Sequence, residues 1–248
     1  MSLPDLTGKV VVITGASRGL GEGMAKNYLA RGMKVALCAR GEIPFAENDD
    51  TLTANFDITD EAAVHQFAAD AVAKFGQIDL WINNAGMLEP VVKARDLTAE
   101  QLRQHLDVNL FGVLFGSQAY LQHVAGREGE GVLINISSGA AWGGYAGWAA
   151  YCMGKAAVDR LTETLALEEI DHGLHAYAVA PGIIDTEMQA TIRASSADVF
   201  PMVDKFHEYK KEDLFNSPDF VADHLLSLSF DSDAKPAETV VRLPAEKA

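Results

Sequence analysis

The chain has little cysteine and no long run of uncharged apolar residues. Cys38 and Cys152 are its two cysteines, so a disulfide framework is excluded, and their spacing does not suggest a metal site. A membrane-spanning helix needs roughly 18–20 apolar residues in a row. The chain has no such run, so a membrane segment is excluded. Residues 1–5 have neither a basic region nor a long apolar stretch, so we expect no signal peptide. The sequence therefore predicts a soluble cytoplasmic protein with reduced thiols.

Basic residues are also scarce. Twenty Lys and Arg face 35 Asp and Glu, which gives a net charge of −15, and no basic stripe runs along the chain. Because polyphosphate backbones are repelled by such a surface, nucleic acid is excluded as a partner. The 48% of apolar residues excludes a disordered chain and suffices for one sizeable core over 248 residues.

Apolar runs and helical patterns alternate along the whole chain. The runs are continuous, which is typical of parallel strands covered on both faces, and Thr98 with Gln101 forms a capping box. This order predicts one doubly wound α/β domain of the Rossmann type over residues 1–248, with a mostly parallel sheet of about seven strands. The predicted strands are 9–14, 34–39, 52–57, 79–83, 131–137, 175–180 and 239–243. The predicted helices are 20–31, 60–75, a long helix from Thr98, 149–169 and 218–229.

Two segments do not fit this alternation. Residues 41–50 are acidic and too short for a full helix between two strands. Residues 189–215 form a long mixed segment, and segments of that length in compact domains are often lids or binding loops. We predict a lid or substrate-side insertion there, with an irregular surface insertion carrying a short helix as the alternative.

Three glycines follow the first predicted strand, in the order Thr14-Gly15-Ala16-Ser17-Arg18-Gly19-Leu20-Gly21. Glycines at a strand-to-helix turn allow a tight bend and let the backbone approach a pyrophosphate, which the free N–H groups of the next helix then bind. Gly15 to Gly19 also matches the nucleophile elbow of serine hydrolases, with Ser17 as nucleophile, but that alternative leaves Gly21 unexplained. A P-loop is excluded because no Lys-Ser or Lys-Thr follows the glycines.

Four further motifs lie directly after predicted strands, and they begin at Asp57, Asn84, Ser138 and Pro181. The carboxyl ends of parallel strands meet at one edge of the sheet, and open α/β sheets bind their ligands there. We therefore expect these residues to share one site.

Tyr151 and Lys155 lie four residues apart at the start of a predicted helix and share one face of it. An ammonium near a phenol favours the phenolate, so Lys155 is expected to lower the pKa of Tyr151. The phenol then donates a proton to a carbonyl oxygen, which the Ser138 hydroxyl helps to fix. The alternative is an ordinary amphipathic helix with a half-buried Tyr and a solvated Lys.

Together these motifs resemble the short-chain dehydrogenase/reductase family over nearly the whole chain. The motifs are the glycine loop, Asn83 to Gly86, Asn109, Ser138, the Tyr151/Lys155 pair, and Pro181-Gly182 followed by Thr186. The resemblance implies NAD(P)-dependent oxidoreduction with Tyr151 as acid and base, Lys155 on the nicotinamide ribose, Ser138 on the substrate carbonyl, and Asn109 holding a water of the proton relay.

The resemblance also implies the contacts of the dinucleotide. Asp57 and Ile58 would meet the adenine, Asn84 to Gly86 the adenine ribose, and Ile184 and Thr186 the carboxamide. The implied dinucleotide-binding residues are Gly15, Ser17, Arg18, Gly19, Leu20, Gly21, Arg40, Asp57, Ile58, Asn84, Ala85, Gly86, Tyr151, Lys155, Pro181, Gly182, Ile184 and Thr186.

The end of the second predicted strand bears on the choice between NADP and NAD. NAD-preferring sites carry an acidic residue there to accept the ribose hydroxyls, whereas this chain reads Cys38-Ala39-Arg40. Arg40 and Arg18 can hold a 2′-phosphate through charge-assisted hydrogen bonds. We therefore predict NADP(H), with NAD(H) as the alternative.

Aromatic residues lie between Ser138 and Tyr151 and predict an apolar substrate cleft. Residues 147–155, 166–169 and 185–189 look like the sepiapterin reductase and benzil reductase branch. The tail carries Arg242 where sepiapterin reductases use an Asp, which argues against a pterin and for an apolar or aromatic ketone or diketone. The predicted substrate residues are Ser138, Trp142, Tyr145, Trp148 and Met188.

The predicted function is therefore the NADP(H)-dependent reduction of a small carbonyl compound to an alcohol. A non-catalytic NADP-binding sensor on the same fold is the first alternative, and a serine hydrolase using Ser17 is the second. The long helices from Thr98 and Ala149 resemble the subunit-packing helices of the family and predict a homodimer or homotetramer.

Overall fold

A computed structural model describes residues 4–127 and 129–247 of the chain. The strands are β1 (Val10–Thr14), β2 (Lys34–Ala39), β3 (Thr51–Asn55), β4 (Leu80–Asn83), β5 (Gly131–Ile136), β6 (Leu174–Ala180) and β7 (Val240–Arg242). They form one sheet in the order β3-β2-β1-β4-β5-β6-β7, and every neighbouring pair is parallel. The order reverses between β1 and β4, which is where open α/β sheets form their binding crevice. The predicted Rossmann-type fold is confirmed.

Helices cover both faces of this sheet. The helices are α1 (Gly19–Ala30), α2 (Glu61–Phe75), α3 (Ala99–Leu106), α4 (Gly112–Ala125), α5 (Ala149–Glu168), α6 (Glu187–Arg193), α7 (Val203–Lys211) and α8 (Pro218–Phe230). α1 and α8 pack on one face, and α2, α4 and α5 pack on the other. Among the described residues, no helix combines the length and the apolar character needed to cross a membrane.

Alternate residues of the strands enter different cores. In β1, Val11 and Ile13 pack against α1 and α8, whereas Val10 and Val12 pack against α2 and α4. Successive side chains of a strand point to opposite faces, so a strand covered on both sides must be apolar throughout. Burying each such side chain contributes about 1.5–3 kcal/mol, and this burial explains the continuous apolar runs of the sequence.

A buried polar network fixes two helices to the ends of the central strands. Asn83 at the end of β4 donates from Nδ2 to Asn135 Oδ1 on β5 (2.8 Å) and to Ser117 Oγ on α4 (3.2 Å). Asn135 in turn donates to Thr162 Oγ1 on α5 (2.9 Å). Because buried polar groups are costly unless paired, these bonds fix where α4 and α5 lie beside the carboxyl edge of the sheet.

The long helix predicted from Thr98 is interrupted. Thr98 and Gln101 form the predicted capping box at the start of α3. A π-helical turn, Asp107–Phe111, then separates α3 from α4. Such a turn inserts an extra residue into the helical repeat and is frequent at functional sites, so apolar periodicity alone does not reveal it.

The two segments that did not fit the alternation have different structures. Residues 41–50 are irregular, with an isolated bridge between Asn48 and Thr51. The predicted insertion at 189–215 instead contains most of α6 and all of α7, which pack against the carboxyl edge of the sheet beside Trp148 and Phe200.

Candidate active site

A cleft of about 1260 Å³ runs along the carboxyl edge of the sheet. Its wall includes Gly15 after β1, Arg40 after β2, Asn84 after β4, Ser138 after β5 and Pro181 after β6. The strands are parallel and in register, so residues far apart in the chain meet at this edge. The structure therefore brings the separate polar motifs of the sequence into one cleft.

Nearly all the residues that the sequence assigns to the dinucleotide line this cleft. Gly21 does not line the cleft but packs beneath the loop, where a Cβ atom would lie 2.7 Å from Asn84 Nδ2. The residues that do line it are Gly15, Ser17, Arg18, Gly19, Leu20, Arg40, Asp57, Ile58, Asn84, Ala85, Gly86, Tyr151, Lys155, Pro181, Gly182, Ile184 and Thr186.

The glycine loop is packed tightly against the segment after β4. Gly15 has φ +70°, and a Cβ atom there would lie 2.8 Å from Ala85 Cα, so both the conformation and the space require glycine. Thr14 Oγ1 accepts hydrogen bonds from the backbone N–H groups of Asn84 and Ala85, each at 3.0 Å. The loop is thus held in a fixed shape.

The first turn of α1 presents free backbone donors beside this loop. Arg18 precedes the helix without a side-chain hydrogen bond to cap it, so the first N–H groups remain available. A helix N-terminus with uncapped N–H groups and a close glycine loop fits a pyrophosphate. The residues present therefore fit a nicotinamide dinucleotide.

Two arginines that line the cleft, Arg18 and Arg40, each contact a carboxylate. Arg18 forms an ion pair with Glu187, at the start of α6, and Arg40 Nη1 lies 3.6 Å from Asp57 Oδ2. Their side chains are 74% and 71% exposed. Exposed ion pairs are weak, so both guanidinium groups are free to turn toward an added anion.

Ser138, Tyr151 and Lys155 come together where β5 faces α5. Tyr151 and Lys155 lie on the buried side of α5, one helical turn apart. The Ser138 side chain hydrogen-bonds that of Tyr151. Lys155 Nζ donates to the carbonyl of Ile136 at the end of β5 (2.7 Å) and lies 5.8 Å from the centre of the Tyr151 ring. A phenol, a hydroxyl and an amine thus face the same part of the cleft.

Burial governs the protonation of this group. It raises the pKa of Tyr151, and the Ser138 hydrogen bond offsets only part of the rise. Burial also lowers the pKa of Lys155 to about 8, although the Asp159 carboxylate counteracts the fall. The expected lowering of the Tyr151 pKa by Lys155 is therefore not observed here, because the phenol is desolvated and the amine is directed at Ile136. At neutral pH the phenol keeps its proton.

Asn109 lies in the π-helical turn, behind the cleft rather than on its wall. Its Oδ1 accepts from Met87 N (2.9 Å) and its Nδ2 donates to Met87 O (2.7 Å), which anchors the segment after β4. Nδ2 also lies 2.7 Å from Nε2 of His105, whose Nδ1 contacts the carbonyl of Glu89 at 2.7 Å. The amide of Asn109 therefore fixes the backbone of the segment after β4.

His105 is a residue that the sequence analysis did not identify. It is fully buried, lies edge-on to the Tyr151 ring with centres 6.1 Å apart, and its pKa is lowered by burial. Its two partners match a neutral imidazole with the proton on Nδ1. Its position four residues before Asn109, on the same helical face, was the available signal.

Aromatic residues form one wall of the cleft. Tyr145, Trp148 and Met188 line it, as the sequence analysis expects. The Trp148 ring stacks on Phe200 (centres 4.7 Å apart) and on Tyr145 (5.1 Å). Trp148 is 5% exposed, so it belongs both to a buried aromatic cluster and to the cleft surface.

Trp142 is not placed on that wall, and its assignment to the substrate is corrected. It does not line the cleft and is 48% exposed. Its indole hydrogen-bonds the Asp159 carboxylate, and the Arg242 guanidinium lies 5.7 Å from the centre of its ring. These two contacts hold the ring outside the cleft, and sequence distance from Ser138 could not predict them.

The helices α6 and α7 also contribute cations to the cleft. Arg193, Lys205 and Lys210 line it, together with Tyr209. Sequence analysis placed a lid here but named none of these residues, because their roles depend on how two short helices pack. The spacing of Lys205 and Tyr209, four residues apart, was the available signal.

Comparison with known proteins agrees with this geometry. The family model described as short chain dehydrogenase matches residues 9–197. The chain belongs to the short-chain dehydrogenase family. Like other members, this short-chain dehydrogenase is an oxidoreductase by family, and a nicotinamide dinucleotide is the cofactor that the family uses.

Two curated relatives place this short-chain dehydrogenase more narrowly. The benzil reductase ((S)-benzoin forming) of Bacillus subtilis is 35% identical over 226 residues, which cover 89% of this chain and 93% of the relative. The 3beta-hydroxysteroid dehydrogenase 1 of Eggerthella lenta is 34% identical over 215 residues, covering 80% and 81% of the two chains. Among solved structures, the KRED1-Pglu enzyme aligns with a TM-score of 0.80 at 34% identity, over 89% of this chain and 94% of that one.

Proposed function

We propose that this short-chain dehydrogenase is an NADP(H)-dependent reductase of ketones or diketones that carry an apolar or aromatic group. The arrangement of Tyr151, Ser138 and Lys155 in the same cleft as the glycine loop carries the proposal. The similarity to benzil reductases supports carbonyl reduction, and the aromatic wall of Tyr145 and Trp148 supports an apolar substrate. We expect the enzyme to act on small molecules in the cytoplasm.

The chain's own residues have distinct roles in this reaction. A bound nicotinamide dinucleotide supplies the hydride to the carbonyl carbon. Ser138 donates a hydrogen bond to the carbonyl oxygen and fixes its position. Tyr151, whose raised pKa keeps it protonated, donates the proton to that oxygen. Lys155, held by the carbonyl of Ile136, would bind the ribose of the dinucleotide, and the buried wall of the cleft excludes water.

The alternatives have less support in the cleft. A serine hydrolase needs a histidine beside its nucleophile, and no histidine lines the cleft with Ser17 among the described residues. A non-catalytic sensor would bind the dinucleotide without needing Ser138 or the buried Tyr151 and Lys155 side chains. That group is costly to bury, and this cost favours a catalytic role.

Replacing Tyr151 with Phe tests the catalytic proposal. Tyr151→Phe should keep dinucleotide binding, measured by calorimetry. Its kcat for the reduction of benzil by NADPH should fall about 10²–10⁴-fold, because the proton donor is gone. Tyr177→Phe, a buried change on β6 away from the cleft, is the control and should keep full activity. Unchanged turnover in Tyr151→Phe contradicts the proposal, and dinucleotide binding without reduction of any diketone by the unaltered enzyme favours the sensor.

Arg40 tests the preference for NADP(H). Arg40→Ala should raise KM for NADPH roughly tenfold and KM for NADH far less, because a charge-assisted hydrogen bond to the 2′-phosphate is lost. The control is Arg160→Ala, which removes an exposed arginine paired with Glu163 on the outer side of α5. Equal effects of Arg40→Ala on both dinucleotides would remove the assignment.

A further inference from the structure

Some residues that line the cleft carry buried side-chain atoms without a hydrogen-bond partner. In the described parts of the chain, five buried side-chain nitrogen or oxygen atoms have no hydrogen-bond partner, and three of them belong to residues lining the cleft. These three are Trp148 Nε1, Gln189 Oε1 and Arg193 Nη1. Trp148 and Gln189 are only 5% and 7% exposed. Buried polar groups in native proteins are nearly always paired, so these residues carry unused hydrogen-bonding capacity beside the cleft.

Two of the three atoms require an acceptor. The indole N–H of Trp148 and the guanidinium of Arg193 are donors only. The other end of the Arg193 guanidinium, Nη2, lies 3.7 Å from Asp185 Oδ1, so part of the group is held in place while Nη1 remains unpaired. A carboxylate offers two acceptor oxygens in the geometry that an arginine prefers.

The charge of part of the cleft is opposite to that of the chain. Arg193, Lys205, Lys210 and Arg242 line it, on a protein with a net charge of −15. Two of these, Lys205 and Arg242, have no carboxylate within ion-pair distance in the described residues: Lys205 hydrogen-bonds Tyr209, and Arg242 lies over Trp142.

The acidic groups on the same wall do not cancel these cations. Asp185 is shared between Lys210 and Arg193, and Glu187 is paired with Arg18 at the glycine loop. Glu89 also lines the cleft. Four cations thus face two carboxylates that are not paired elsewhere. This local surplus of positive charge attracts an anion, although the protein as a whole repels anions.

We propose that the substrate of this reductase is an oxo acid, with its ketone at Tyr151 and its carboxylate held by Arg193 and Lys205. The inference rests on the proposed function and names its substrate class. Hydride from the reduced dinucleotide adds to the ketone carbon, and the Tyr151 proton adds to its oxygen. The product is the hydroxy acid, with the dinucleotide oxidised and the carboxylate unchanged. Trp148 and Tyr145 contact the apolar body between the two polar ends.

Matched pairs of substrates test this inference. Aryl ketones with one to four carbons between the ketone and a carboxylate are each compared with their methyl esters, so that only the charge differs. For at least one length, kcat/KM for the acid should exceed that for the ester roughly tenfold, as one charge-assisted hydrogen bond predicts. High salt should reduce this preference because it screens the cations.

Variants identify the cations responsible. Lys205→Gln and Arg193→Gln should lower the acid-to-ester ratio of kcat/KM roughly tenfold, chiefly through KM of the acid. Lys211→Gln is the matched control, since Lys211 lies on the same helix, is exposed and does not line the cleft. Lys205 is itself a surface residue, so its variant is expected to fold even where Arg193→Gln does not.

The outcomes separate this inference from the proposed function. If the esters are reduced but no acid is preferred, the reductase stands and the oxo acid is wrong. If nothing is reduced, calorimetry with Tyr151→Phe and NADPH still decides: tighter binding of the acid that Lys205→Gln abolishes supports the anion site, and equal binding of acid and ester overturns it. A rise in KM for NADPH in Lys205→Gln that equals the rise for the acid also overturns it, because the cation would then serve the dinucleotide.

Discussion

Lys155 shows how one side chain is adapted to its position. A buried ammonium is disfavoured, and the structure compensates it with the carbonyl of Ile136 and the nearby carboxylate of Asp159. Asp159 is itself held by the hydroxyl of Ser137 and by the indole of Trp142. The charge needed beside Tyr151 therefore depends on polar partners contributed by β5, α5 and the loop between them.

This arrangement predicts a pH dependence of stability. The pKa of Lys155 is about 8 in the fold and near its usual value of 10.5 in the unfolded chain, so between these values the unfolded state binds more protons. The unfolding free energy should therefore rise with pH in that window. Relative to Lys155→Met, the native enzyme should gain about 3 kcal/mol between roughly pH 7.5 and pH 11 in urea denaturation. The unfolding free energy of Lys211→Met, which changes an exposed lysine, should follow the pH profile of the native enzyme. A profile for Lys155→Met parallel to that of the native enzyme would contradict the low pKa of Lys155.

Some features of the helices can be predicted from the sequence alone, and others cannot. The capping box at Thr98 and the Asp60 cap that bonds Ala63 N are local and could be read from residue order. The π-helical turn around Asn109 could not, because it depends on hydrogen bonds from Asn109 to Met87 and to His105. Those partners lie on other turns and segments of the chain.

The segment carrying α6 and α7 illustrates the same limit. Its length predicted a lid or insertion, and the structure has two short helices there that contribute residues to the cleft. Their identity as a cationic wall emerges only when Arg193 on α6 and Lys205 on α7 face one space. Helices this short are not stable by themselves, so packing against Trp148 and Phe200 determines where they lie.

At the scale of the molecule, the charge in the cleft indicates an anionic ligand, whereas exposed apolar side chains indicate a protein partner. The net charge is −15, yet several cations line the cleft. Large apolar side chains are also exposed along α5 and beside it, with Leu167 80%, Ile170 66% and Met153 45% exposed. Met153 and Leu167 lie on α5, the helix that the sequence predicts to pack against another subunit, and Ile170 follows it closely.

We accordingly expect a homodimer or homotetramer. Light scattering should give a mass that is two or four times 26.7 kDa at micromolar concentration. Leu167→Glu should shift the mass toward the single chain, because a buried unpaired charge destabilises an apolar contact. Lys211→Glu, a charge change on α7, should leave the mass unchanged. A single-chain mass for the native protein would contradict this expectation.

The sequence by itself determined the sheet, most of the helices that flank it and the family, because apolar periodicity, glycines at the first turn and the Tyr151/Lys155 spacing are local patterns. Tertiary structure alone decided that Trp142 leaves the cleft, that His105 supports Asn109, and that Tyr151 has a raised pKa. The physical reason is that hydrogen-bond partners, desolvation and local charge are set by neighbours distant in the chain, whereas the fold follows from patterns within short segments.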